Sequence, residues 1–304
     1  MSKRGRFAGL DTLRFIAAIF VVVGHIPLNQ ASAGLPHPSW GALFFRGAPA
    51  VKLFFSLSGF LITYLLLDEM ARTGIRFDRF YSGAPVCSPT RGSCLTGRHP
   101  YRYGIFFANA DSGTEAPSKY ALPARETTVA ELVKPLGYAT AHFGKWHLGD
   151  FAGPKQSSPT DNGFDEFFST TRKVPTVDPD GYWTQEGRVP GTLQGDDNEL
   201  IMERALDFMR RAVARRQPFL AVIWFHAPHI PFLATARHRA PFASHAESQQ
   251  HYWGSITSLD EQMGRLRSTL DQLGVRRDTM LWYCADNGPE GDRESAAAPG
   301  SAGP

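Results

Sequence analysis

Cys87-Ser88-Pro89-Thr90-Arg91-Gly92-Ser93-Cys94-Leu95-Thr96-Gly97-Arg98 is the stretch around which the rest of the chain is organised. Its residue types predict a short helix entered from a loop. Ser88 is a good N-cap and Pro89 a good first helical residue, while Gly97 suits the left-handed position that closes a helix. Cys87 then stands just ahead of unsatisfied backbone N–H groups, at the positive end of a helix dipole, with Arg91 one turn in. A sulfur nucleophile, a helix N-terminus and a guanidinium at this spacing make a ready anion site. The plainer reading of the same residues is a small buried thiol beside a surface arginine.

The chain has 304 residues and a net charge of +3, which gives no reason to expect a nucleic acid or other polyanionic partner. That length suits one large domain or two modest ones. Three cysteines, Cys87, Cys94 and Cys284, are too few and too scattered for a disulfide framework, and no Cys-x-x-Cys pair is present.

From residue 81 onward, helical and strand-like patterns alternate, which predicts an α/β domain with a largely parallel sheet. Residues 127–137 have apolar side chains at Val129, Leu132, Val133 and Leu136 and stop at Gly137, with Pro135 set to kink the last turn. A short strand over residues 138–143 leads into Gly144-Lys145-Trp146-His147. A lysine and a histidine two residues apart beyond a strand end point the same way and can grip an anion, although each could also be an ordinary solvated side chain. Asp196 and Asp197 precede an amphipathic helix over 200–216 and read as its cap and first-turn charge rather than as metal ligands.

Residues 218–225 are continuously apolar, as a central parallel strand would be, and end at His226-Ala227-Pro228-His229. The carboxyl end of such a strand is where ligands of open α/β sheets gather. Residues 249–273 carry an apolar stripe through Tyr252, Ile256, Leu259, Met263, Leu266, Leu270 and Leu273, a core-facing helix stopped by Gly274. A further apolar strand over 279–285 delivers Asp286-Asn287-Gly288. These oxygens suit a hard cation; a tight turn built on Asn-Gly is the other reading.

The combination Cys-x-Pro-x-Arg with Leu-Thr-Gly-Arg, then Gly-Tyr-x-Thr-x-x-x-Gly-Lys-Trp-His, Asn-Gly-Phe-Asp-Glu-Phe-Phe at 162–168, Ala-Pro-His and Asp-Asn-Gly resembles the type I sulfatases. The resemblance implies a sulfatase/alkaline-phosphatase-like fold and a sulfuric ester hydrolase. In that family the cysteine, here Cys87, is converted by a formylglycine-generating enzyme to formylglycine, whose hydrate attacks sulfur. It also implies Arg91 beside that residue, Lys145, His147 and His229 on the sulfate, and a calcium or similar divalent ion held by Asp286, Asn287 and residue 87. His229, not His226, is the residue that would protonate the leaving oxygen. The substrate would be a sulfate-ester small molecule or a sulfated glycan. The family's pair of adjacent aspartates, expected before Cys87, has no counterpart here: Asp11 and Asp78 stand alone. The further lysine expected beyond Asp286 is also missing, so the resemblance covers residues 80–304 and implies an incomplete, impaired site.

Residues 1–79 differ in character. A basic start precedes apolar runs at 15–23 and 48–67, the second about long enough to cross a bilayer. The first is signal-like, without a clean small-x-small cleavage site. Residues 9–25 and 53–63 resemble the start of integral-membrane sugar O-acyltransferases, in which an arginine and a histidine, here Arg14 and His25, are implicated in acyl transfer. That family needs many more spans, so one or two apolar helices acting as a membrane anchor through residues 49–67 is the role expected here. The two resemblances meet near residue 80, implying an acyltransferase-like segment over 1–79 joined to a sulfatase portion. The expected location is membrane-associated, with periplasmic or secreted placement if the N-terminus acts as a signal. The alternatives to a sulfatase are an acyltransferase remnant and a non-enzymatic chimeric fragment.

Overall fold

The computed structural model describes residues 70, 73–77, 79–108, 121–153 and 156–287. The apolar runs at 15–23 and 48–67, with Arg14 and His25, lie outside the described residues. Among the described residues no helix is long and apolar enough to cross a membrane. The elements below belong to a compact unit that includes Arg79–Gly288.

Five strands form a sheet in the order β4-β3-β2-β1-β5: β1 Ala139–Lys145, β2 Glu166–Thr170, β3 Tyr182–Thr184, β4 Gly187–Arg188 and β5 Phe219–Trp224. β1 runs parallel to β2 and to β5, while β2–β3 and β3–β4 are antiparallel. The sheet is therefore mixed, not largely parallel as the sequence suggested. Strands joined through long crossovers are free to run parallel, whereas the two-residue link between β3 and β4 can only fold back.

Two apolar runs also behave differently from expectation. β5 was expected at the centre of the sheet; it is an edge strand among the described residues, and every one of its residues is only half-buried. Residues 279–285 form no strand, leaving Met280 86% and Trp282 51% exposed. A strand is defined by its ladder: the first run pairs on one side only, with β1, and no described strand pairs with residues 279–285. Trp282 instead meets Phe80 edge-on at 5.3 Å.

β1, between β2 and β5, is buried along almost its whole length, with Ala141 and Phe143 in the core. Gly144 has φ 92, and a Cβ there would lie 2.0 Å from the Trp224 carbonyl oxygen, so β1 and β5 can approach only because position 144 has no side chain. Helices cover the sheet: α1 Cys87–Thr96, α2 Pro100–Tyr103, α3 Val129–Val133, α4 Asp197–Ala214, α5 Ala236–Arg239 and α6 Glu247–Gln272. α4 packs Ile201, Met202, Ala205, Leu206 and Met209 inward against β1 and β5. It begins earlier than its apolar pattern, because Asp196 caps it by accepting from the N–H groups of Asn198 and Glu199. α6 buries Ile256, Leu259, Met263, Leu266 and Leu270 and packs on α4, as its stripe predicted.

α3 is shorter than its spacing implied. Thr128 and Glu131 form a capping box, but after Val133 the chain tightens into a 3₁₀ turn, Lys134–Leu136, around Pro135. The stripe then rotates out of register, so Leu132 and Leu136 are exposed and Ala130 is the buried residue. Helix α1 starts two residues before expectation, at Cys87 rather than Pro89. Val86 occupies the cap position without a side-chain bond, and the Thr90 N–H closes the first turn on the Val86 carbonyl at 3.3 Å. Ser88 is thus not the cap: it lies inside the helix, buried, with its hydroxyl donating to the Ala108 carbonyl at 3.4 Å. Gly97, at φ 65, closes α1 as its sequence position required.

Candidate active site

The site forms where the carboxyl end of β1 meets the first turn of α1. β1 ends on Lys145, and its neighbour β2 extends the pairing for two residues: the Trp146 and His147 N–H groups donate to the Thr170 and Thr171 carbonyls at 2.9 and 3.1 Å. Trp146 turns into the core, where its indole N–H reaches the Ser157 carbonyl, and His147 adopts φ 55. Lys145 and His147 are both buried beside this turn.

Lys145 Nζ donates to Cys87 Sγ at 3.3 Å across a sequence separation of 58 residues. Arg91, one turn along α1, is buried. Its Nη1 donates to the Lys145 carbonyl at 2.6 Å, its Nη2 to Asp286 Oδ2 at 3.0 Å, and its guanidinium lies 4.8 Å from the centre of the Trp224 ring. The segment at 286–287 is tied to α1 a second time: Asn287 Nδ2 donates to the Ala84 carbonyl at 3.1 Å and to Thr90 Oγ1 at 3.2 Å. His229, in the loop beyond β5, has its Nδ1 2.9 Å from the Ile230 carbonyl oxygen and acts with Lys145 and Arg91 on the Cys87 thiol.

Charge follows from this packing. Burial alone would raise the Cys87 thiol, but the His229 hydrogen bond and the positive charges of Lys145 and Arg91 outweigh it and hold the thiol below its usual range. Burial and then Arg91 push the Lys145 ammonium down, against the opposing pull of Cys87 and Asp286. Burial, followed by Lys145, Arg91, Arg172 and His229, pushes His147 down to about 2, so its imidazole is neutral at ordinary pH. Arg91 Nε and His147 Nδ1 are both buried without a hydrogen-bond partner among the described residues. Buried polar atoms without partners are rare in finished structures, and oxygens of a bound anion would complete these.

Cys87, Arg91, Lys145, His147 and His229 thus come together from α1, the end of β1 and the loop beyond β5. Asp286 and Asn287 join α1 through Arg91 and Thr90. His226, set aside in favour of His229, is no bystander: its Nδ1 lies 2.7 Å from Asp197 Oδ2 and its Nε2 lies 2.8 Å from Thr170 Oγ1. Tyr182 donates its hydroxyl to Asp197 Oδ1, and Tyr182, Asp197, His226 and Thr170 are all buried. Asp197 is therefore more than a first-turn charge on α4. The four residues come from β3, α4, the end of β5 and β2, and no local pattern marks them. Elsewhere, Glu199, His238 and Glu261 bring possible ligand atoms within 4.8 Å of one another, but Arg237 bonds both carboxylates at 2.6 Å and already supplies the cation.

Comparison with known proteins follows the same outline. The family profile described as Sulfatase matches residues 47–303, and a second, described as Acyltransferase domain, matches residues 7–82. N-acetylgalactosamine-6-sulfatase of Rattus norvegicus is 32% identical over 291 residues, which cover 86% of this chain and 52% of that protein. Arylsulfatase G of Mus musculus is 31% identical over 274 residues, covering 78% and 49%. The chain spans about half the length of the curated relatives it matches. Among solved structures, the PsFucS1 sulfatase from Pseudoalteromonas sp. superposes with a TM-score of 0.54 at 22% identity, over 69% of this chain and 46% of that one. A structure solved with its substrate D-glucosamine-2-N,6-O-disulfate superposes with a TM-score of 0.55 at 18% identity, over 69% and 57%. Both are likenesses of fold. The profile match spans every residue of the Cys87 site, and the chain belongs to the sulfatase family.

Proposed function

We propose that residues 80–304 carry the site of a formylglycine-type sulfuric ester hydrolase acting on a sulfate ester, and that Cys87 is the residue converted. The observation that carries this is the meeting of Lys145 Nζ with Cys87 Sγ at 3.3 Å, with Arg91 one helical turn away. The sulfur of Cys87 marks where the modified side chain would stand. When formed, formylglycine supplies an aldehyde hydrate as the nucleophile toward sulfur. The chain's own residues do the rest. Arg91, fixed by the Lys145 carbonyl, Asp286 and Trp224, holds position 87 against the helix N-terminus. Lys145 and His147 face the ester oxygens, and the unpartnered Arg91 Nε and His147 Nδ1 are available to them. Donors preset in a buried site stabilise developing negative charge without reorganising. His229 is placed to hand a proton to the departing alcohol oxygen.

A divalent ion belongs to this reading in part. The Asp286 carboxylate is half-exposed, and Asn287, whose Nδ2 is engaged, turns its Oδ1 the other way, so both are suitable donors for calcium in kind. With residue 87 they make three donor residues, against the roughly six to eight oxygens that calcium takes. The described residues do not complete that cage, and no step above passes through a metal. We propose further that residues 1–79 are an acyltransferase-type segment that holds the chain at a membrane through residues 49–67, a reading supported by the profile match over 7–82. The partners implied are a formylglycine-generating enzyme and a sulfated small molecule or glycan.

Co-expression with a formylglycine-generating enzyme, followed by mass spectrometry of the peptide containing Cys87, tests the central claim. Conversion of the thiol to an aldehyde is expected, with aryl sulfate hydrolysis then measured with and without calcium. An unmodified cysteine under conditions that convert a control sulfatase would rule the proposal out.

A further inference from the structure

Arg237 supplies the cation at the cluster of Glu199, His238 and Glu261, yet its geometry leaves that cluster unsatisfied. A single nitrogen, Nη2, stands 2.6 Å from Glu199 Oε1, 2.6 Å from Glu261 Oε2 and 2.8 Å from His238 Nε2. That nitrogen bears two hydrogens for three acceptors. His238 Nε2 also lies 3.2 Å from Glu261 Oε2. A guanidinium has no lone pair to offer, so Nε2 must accept in order to bond Arg237. Its lone pair then faces the Glu261 carboxylate with no proton between them. If Nε2 carries the proton instead, Glu261 is satisfied and Arg237 meets a second donor. Either tautomer leaves one close contact between like groups. Lone pairs converging at this range are what a metal ion gathers: ligand atoms about 2.0–2.1 Å from a tetrahedral Zn²⁺ stand roughly 3.3 Å from one another. The three possible ligand atoms here all lie within 4.8 Å of one another.

The histidine is prepared from behind. His238 is buried, and its Nδ1 lies 2.9 Å from Thr235 Oγ1 and 3.4 Å from Asp196 Oδ2. Asp196 is buried too, its Oδ1 accepting from the Ser258 hydroxyl at 2.6 Å and the Asn198 N–H at 2.9 Å. An Nδ1–H directed at a hydroxyl and a carboxylate turns the Nε2 lone pair toward Glu199 and Glu261, the support that metal-binding histidines ordinarily have. Arg237 is held far less firmly. Its side chain is 63% exposed, and a long flexible stem lets the guanidinium swing into solvent. Glu199, Glu261 and Arg237 leave one negative charge over, which a divalent ion in place of the guanidinium would cancel.

We propose that Glu199, His238 and Glu261 form a zinc-type metal site joining α4, α5 and α6, with Arg237 as a built-in competitor that holds the ligands when metal is absent. A mixed imidazole and carboxylate set suits Zn²⁺ and disfavours Ca²⁺ and Mg²⁺, which take oxygen. Three protein donors leave a fourth position to water. The site shares no residue with the Cys87 centre and does not depend on the proposed function.

The test is titration of the full chain with Zn²⁺ against a chromophoric chelator, with Co²⁺ absorption spectra as a second readout. Arg237→Gln should bind Zn²⁺ about tenfold more tightly than the parent, the scale of removing one competing charge-assisted bond. Adding Glu261→Gln or His238→Gln to that variant should weaken binding by about tenfold or more and abolish the intense visible bands of four-coordinate Co²⁺. Should the buried His238→Gln change prevent folding, Glu261→Gln, at a half-exposed position, carries the test alone. Zinc taken up elsewhere, at the Cys87 thiol for instance, would be indifferent to these changes. The proposal is overturned if Arg237→Gln binds Zn²⁺ no more tightly than the parent, or if its affinity survives the added Glu261→Gln.

Discussion

Replacing Asp197 by alanine tests whether the buried relay stabilises the fold as its geometry requires. Asp197 is fully buried and accepts from Tyr182 and His226, which are 1% and 3% exposed. Alanine leaves a buried phenol and a buried ring nitrogen without partners. Each unsatisfied group of this kind costs about 1–3 kcal/mol. Relief from burying a carboxylate returns part of that sum, so the net loss should be about 3 kcal/mol. For a folded unit of this size, that lowers Tm by roughly 6–12 °C. Asparagine has the same shape. Its Oδ1 can still accept from Tyr182 while its Nδ2 turns to His226 Nδ1, which one imidazole tautomer accepts, so Asp197→Asn should cost only about 1 kcal/mol. Urea unfolding followed by tryptophan fluorescence, with calorimetric Tm alongside, measures both variants. The reasoning fails if alanine stays within about 0.5 kcal/mol of the parent, or if asparagine costs as much as alanine.

Lys145→Met removes one of the charges that hold the Cys87 thiolate while leaving its burial in place. The pH midpoint for iodoacetamide labelling of Cys87, read by peptide mass spectrometry, should therefore move upward; an unmoved midpoint would remove Lys145 from the site's electrostatics. Acid should destabilise the fold early. His142 is pushed well below 6.5 by burial, then by Arg91 and His226, and His147 is pushed to about 2, so the unfolded chain binds protons that the native chain refuses. Their contribution is complete above about pH 6.5 and is lost as pH falls below it, toward pH 2 for His147, at about 1.4 kcal/mol per pH unit for each titrating histidine. Stability measured by urea at pH 7.5, 6.5 and 5.5 should fall in that order, less steeply in His147→Gln, and a flat profile would sink the claim.

The sequence alone settled what depends on local spacing. Cys87 and Arg91 are four residues apart, one helical turn. Lys145 and His147 are two apart at a strand end, and Gly97 must take a left-handed turn; each constraint acts within a few residues and survives into the structure. The long stripe of α6 was legible for the same reason, because one helix face buries one residue set. What the sequence could not fix was which apolar run finds a neighbour. The runs at 218–225 and 279–285 read alike, yet among the described residues one is an edge strand and the other forms no strand, because a ladder needs a second chain segment whose position no local pattern contains. The distance from Lys145 to Cys87, and the relay from Tyr182 through Asp197 and His226 to Thr170, are likewise tertiary facts. Their members lie tens of residues apart and acquire meaning only where the sheet brings the ends of β1, β2 and β5 to one edge, and burial then turns ordinary hydrogen bonds into strong constraints on charge and position.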